Sequence, residues 1–120
     1  MPHIIIEYSL DSFEKLSLPG LVTSVFDAVV KSKTVKAENI KVRVHATEFY
    51  KLGLAESGFI HVECRTHQGK TEEEKQVISQ VILDAIEAEI QKLAKHSMVI
   101  TVEVVEMHTQ SYAKAMLTIN

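Results

Sequence analysis

Residues 59–107 read FIHVECRTH (59–67), then QGKTEEEKQVISQVILDAIEAEIQKLAKH (68–96), then SMVITVEVVEM (97–107), and the period of the apolar positions changes twice across them. The first piece alternates apolar and polar residues, the signature of a half-buried strand. The second carries apolar residues at helical spacing and opens on Thr71 with Glu74 three residues later, which predicts a helix of about six turns starting with a capping box. The third alternates again. One strand, one helix and one strand make a βαβ unit, whose crossover is expected to be right-handed.

Read toward the N-terminus, the same order recurs. Residues 3–8 predict a strand, and 9–20 (SLDSFEKLSLPG) are rich in turn formers. LVTSVFDAVVKSK (21–33) places Leu21, Val22, Val25, Phe26, Val29 and Val30 on one helical stripe. NIKVRVHAT (39–47) sets Ile40, Val42 and Val44 on one face and Lys41, Arg43 and His45 on the other. The expected fold is therefore α+β: a duplicated β-α-β over residues 1–120 as a single domain, a four-stranded sheet with two helices on one face, and a C-terminal strand from the weakly alternating tail SYAKAMLTI. That tail is expected to pair outside its own sheet.

Strand parity puts Glu7, Lys41, Arg43, His45, His61, Glu63, Arg65 and Glu103 on the face away from the helices. Three carboxylates meet three fixed cations there, a balanced set that a symmetric oligomer can cover. The chain is 120 residues long with 46% hydrophobic and 24% charged residues, the composition of one globular domain. A net charge of −3 argues against a nucleic-acid surface. No apolar run reaches the roughly 18 residues that span a bilayer. The start lacks the cationic and apolar segments of a secretory signal, so a cytoplasmic protein is expected. Cys64 is alone, so no intrachain disulfide is available, and its alternating setting suits a core thiol better than a nucleophile. The six histidines lack metal-ligand spacing, although His3 and His61 are placed to shape a pocket.

Pro2 leaves two readings open. Proline opens strands because it has no N–H to contribute. Removal of Met1 would instead leave its nitrogen as a free secondary amine, and α-amino groups have an ordinary pKa of about 7.7–8.0, near working pH. Lys41 and Arg43 likewise suit either ion pairing or the holding of a substrate anion. Lys70 suits either a solvated helix start or anion binding beside the helix N-terminus. Phe49, Tyr50, Leu52 and Leu54 either wall a site or pack a connecting loop.

The duplicated unit together with PHIIIEYS at the start, LPGL at 18–21, RVH at 43–45, GFIHV at 58–62, GKTEEEKQ at 69–76 and VEVVEMH at 102–108 resembles the tautomerase superfamily, and within it 5-carboxymethyl-2-hydroxymuconate isomerases. The resemblance implies a homotrimer, no metal or organic cofactor, a small carboxylate substrate, and Pro2 as acid-base catalyst with Lys41, Arg43 and Lys70 at the substrate. The family pattern has arginine where this chain has Lys41 and Lys70, and lysine lacks the planar fork that grips a carboxylate twice. Three other activities share the implied proline: hydration, dehalogenation and decarboxylation. A non-catalytic trimeric interaction module is the alternative outside enzymes.

Overall fold

The computed structural model describes residues 2–14, 17–54 and 57–119. Its elements are β1 (His3–Ser9), α1 (Leu18–Lys31), β2 (Lys41–Thr47), β3 (Gly58–His67), α2 (Glu72–Leu93) and β4 (Met98–Met107), with short 3-10 turns at Leu10–Ser12, Ala37–Asn39 and Thr109–Ser111. The strands form one sheet in the order β2-β1-β3-β4. Each βαβ unit contributes a parallel pair, β1 with β2 and β3 with β4, and the two units join antiparallel along β1 and β3.

The helices form because each presents one apolar stripe to the sheet. From α1 that stripe buries Leu21, Val25 and Val29, and from α2 it buries Ile78, Ile82, Ile86 and Ile90 at a strict four-residue interval. Facing them across the core are Ile4, Ile6 and Tyr8 of β1 and Ile60, Val62 and Cys64 of β3, all at or near zero exposure. Pro19 sits in the first turn of α1, where a missing N–H costs nothing. The helix ends at Ser32, whose N–H reaches back to Ala28 and Val29 carbonyls, and Lys33 at φ 59° turns the chain away. The N-cap of α2 is Thr71: its side chain accepts from the Glu74 N–H, and the Glu74 carboxylate accepts from the Thr71 N–H.

The even residues of β1 point to the helices, so Ile5 and Glu7 point away, and the register places the charged set on this second face as the alternation predicts. Glu7 stands between His45 and His61, Ile5 between Arg43 and Glu63, and His3 between Lys41 and Arg65. Glu63 stands opposite Glu103. Glu63 accepts from Arg65 at 2.8 Å, Thr47 donates to Glu7 at 2.7 Å, and His61 lies 3.5 Å from Glu103.

In the single chain residues 112–119 have no regular secondary structure, and Met116, Leu117 and Ile119 are 82%, 85% and 87% exposed. A strand exists only through its ladder, and the tail has no partner ladder within its own sheet, whose edges are β2 and β4.

Candidate functional site

The sheet has two ends, and the candidate residues lie at one of them. Parallel pairing sets the start of β2 beside the start of β1, with the Lys41 N–H donating to the Pro2 carbonyl at 3.1 Å. Antiparallel pairing brings the end of β3 to the same place, with Arg65 across from His3. Pro2 is buried, while Lys41 and Arg43 are exposed on the face away from the helices. His3 sits between them and Arg65.

Within this corner, Arg43 Nη1 lies 3.2 Å from His3 Nδ1. Burial first, then the charges of Arg43, Lys41 and Arg65, hold the His3 imidazole below its ordinary pKa. The Glu63 carboxylate offsets Arg65 at 2.8 Å. Lys41 and Arg43 add two further cations next to the start of β1.

Lys70 stands apart from this pair. It follows β3 at the same end of the sheet, but on the helix side, where its charge bears on the buried Cys64 thiol and its Nζ donates to the Thr34 carbonyl at 2.9 Å. The N-terminus of α2 beside it is occupied by its own capping box. The structure thus sets Lys41 against Pro2 through the backbone, with Arg43 two residues farther along β2 beside His3, and ties Lys70 to the loop after α1.

Phe49, Tyr50, Leu52 and Leu54 do not wall the Pro2 corner in their own chain. Their segment leaves β2 from Thr47, which pairs with Ser9 at the far end of β1. At the rise of an extended strand that is about 20 Å from Pro2. Tyr50 packs edge-on against Phe59 with ring centroids 5.8 Å apart, whereas Phe49 and Leu54 are exposed.

Sequence reasoning missed a polar cluster at this far end. Ser9 and Ser12 are fully buried and bonded to each other, Ser9 accepts from the Phe59 N–H at 2.9 Å, and Ser12 lies 3.3 Å from His96 Nε2. Gly58 fits beneath them. A Cβ there would overlap Ser12 Oγ and stand 2.8 Å from His96 Nε2 and 2.9 Å from Ser9 Oγ. No spacing announces a cluster whose members lie 84 positions apart.

Cys64 is fully buried, and its thiol is pushed up to about 12 chiefly by that burial. It is a core residue with negligible thiolate at neutral pH. Among the described residues, no helix is long and apolar enough to cross a membrane, and no group of three His, Cys, Asp or Glu is placed to hold a metal ion.

Solved structures with the same twofold-repeated βαβ sheet backed by two helices superimpose on this chain. A 5-carboxymethyl-2-hydroxymuconate delta-isomerase matches with a TM-score of 0.80 at 15% identity, covering 97% of this chain and 88% of that one. A 5-carboxymethyl-2-hydroxymuconate isomerase from Deinococcus radiodurans R1 matches at 0.73 and 19% identity, over 95% and 88%. A fused 4-OT protein, a symmetric trimer, matches at 0.75 and 8% identity, over 94% and 93%. No curated protein matches the chain in sequence. The family model for 5-carboxymethyl-2-hydroxymuconate isomerase matches residues 2–117, and the chain belongs to that family of isomerases.

Proposed function

We propose that this protein is a cofactor-free keto-enol isomerase of a small unsaturated 2-hydroxy or 2-oxo carboxylate, 5-carboxymethyl-2-hydroxymuconate being the type its family name supplies, with the Pro2 nitrogen as acid-base catalyst. The observation that supports the reading is the bond from the Lys41 N–H to the Pro2 carbonyl, which sets the start of β2, with Lys41 and Arg43, beside the start of β1. The family match, which begins at residue 2, supports it. Met1 lies outside the described residues, and the mechanism requires its removal: acylated proline nitrogen has no usable basicity, whereas the freed amine does.

In this mechanism the amine takes a proton from one oxygen or carbon of the conjugated acid and returns it at another, so nothing is oxidised and no further reactant is consumed. Lys41 and Arg43 hold the carboxylate and stabilise the charge that develops on the dienolate oxygen. The same cations favour the neutral amine over ammonium. Lys70 joins as a third cation by exchanging its Thr34 carbonyl for substrate.

The working form in this reading is a homotrimer. The charged sheet face and the exposed apolar tail both call for cover, and the fused 4-OT neighbour is itself a symmetric trimer.

The deciding experiment compares trimmed and Met1-retaining protein on phenylenolpyruvate or a hydroxymuconate. Trimmed protein is expected to show a rate that rises as the amine deprotonates, and the Met1-retaining form to lose most of the roughly 10²–10⁴-fold that acid-base catalysis supplies. Pro2→Ala, which leaves a primary amine after trimming, should fall between them. Equal turnover by both forms removes Pro2 from the mechanism. Release of carbon dioxide from these acids without isomerisation, or of halide from a halogenated unsaturated acid offered in their place, would instead favour the related proline-dependent chemistries.

A further inference from the structure

The contact between His3 and Arg43 restricts the chemistry of both residues. A guanidinium carries donors only, so Nδ1 of His3 must be the acceptor in the 3.2 Å contact. That requires an unprotonated Nδ1, and a neutral imidazole then carries its proton on Nε2. The surroundings favour this state from every side that faces the ring. On β2 stand Lys41 and Arg43, and on β3 stands Arg65, with its charge partly met by Glu63 at 2.8 Å. His67, two residues beyond Arg65, packs edge-on against Tyr112. Glu7, the nearest carboxylate on β1 itself, lies four residues away and accepts from Thr47.

We infer that His3 is a positioning residue: as a neutral acceptor it holds the Arg43 guanidinium in place on the charged face to receive a substrate carboxylate. The inference rests on the anion-binding role proposed above for Arg43. Arginine on an exposed strand face otherwise samples many rotamers, and fixing one before the ligand arrives lowers the entropy lost on binding. The register makes this possible, because His3 lies on an inner strand and Arg43 on the neighbouring edge strand, two residues along on the same face. Protonation of His3 would turn Nδ1 into a donor and release Arg43.

The test uses adipate, an unreactive dianion, so that binding is read without proton transfer. His3→Leu removes the acceptor, while His3→Asn keeps a carbonyl oxygen near the place of Nδ1. By calorimetry at pH 7.5, His3→Leu should bind adipate roughly three- to tenfold more weakly, the range of one ordinary hydrogen bond, and His3→Asn within about twofold of wild type. On acidification wild-type affinity should fall while His3→Asn stays level. In turnover, His3→Leu should raise KM with little change in kcat. Arg43→Met should raise the midpoint of the His3 Cε1–H titration by NMR, a readout independent of whether His3→Leu assembles.

Equal adipate affinity in wild type and His3→Leu overturns the assignment, as does an unmoved His3 midpoint in Arg43→Met or failure of wild type to bind adipate. A wild-type affinity that rises on acidification also overturns it, since His3 would then be a cationic ligand. If the adipate pattern holds while trimmed protein turns over no enol acid, the isomerase reading fails and the positioning role stands.

Discussion

Gly58 is the residue whose side chain the fold can least afford. The overlap of a Cβ with Ser12 Oγ is with a group that is itself buried and bonded to Ser9, so it cannot swing into solvent. Gly58→Ala should therefore destabilise the protein by about 1–3 kcal/mol, the usual cost of overpacking, read as a lower urea midpoint. Adding Ser12→Ala removes the obstructing oxygen, so the double variant should lose less than the sum of the two single losses. Additive losses would show that the clash is relieved by backbone movement instead.

Cys64 gives a prediction on the alkaline side. Its thiol is raised from an ordinary 9.0 to about 12, mainly by burial, so the folded state retains a proton that the unfolded state sheds. The associated stability is fully present below about pH 9 and is lost as pH climbs toward 12. Replacing Cys64 with valine should flatten the fall in stability across that window, measured by urea melts at pH 8 and 10. The native thiol should also resist a thiol reagent at pH 8 and react at once in denaturant.

Among the elements, α2 offers the cleanest test of a local signal. Thr71 and Glu74 satisfy each other's backbone N–H groups. Thr71→Ala should cost about 0.5–2 kcal/mol with the urea m-value unchanged. A changed m-value would mean that the first turn unravels and exposes surface. This helix was legible in sequence because its stripe and its cap are local features, and β2 was legible because its alternation sets Lys41 and Arg43 on one face. The tail's alternation records which side chains are apolar, but the ladder expected to receive them lies outside its own sheet and is not legible in one chain. The Ser12–His96 contact was illegible for a related reason, since it depends on how the turn after β1 meets the chain after α2. Pro2, Lys41 and Arg43 could be collected from sequence once the pairing of β1 with β2 was assumed. The separate placement of Lys70 could not, because Thr34 is its partner only in three dimensions.

At the scale of the whole molecule, the proposed trimer predicts a mass near three chains by light scattering at micromolar concentration. Removal of residues 113–119, whose Met116, Leu117 and Ile119 side chains are exposed in the single chain, should weaken that assembly while leaving the sheet and helices intact by circular dichroism. A monomer for the full chain would contradict the assembly, and an unaffected trimer after truncation would place the tail outside the interface.

The join between the two βαβ units has a consequence of its own. Its ladder is β1 with β3, and across the same seam α1 packs on α2, Ser24 donates to Glu89 at 2.9 Å, and Ser9 grips the Phe59 N–H. The covalent link between the units runs from Thr47, at the far end of the sheet, to Gly58. A nick there leaves each fragment with an open sheet edge and an uncovered helix stripe, which only the other fragment fits. Two peptides cut between Lys51 and Gly53 should thus find each other and refold as a split protein, with the Pro2 corner divided between them: Pro2, His3, Lys41 and Arg43 on one piece, Arg65 and Lys70 on the other.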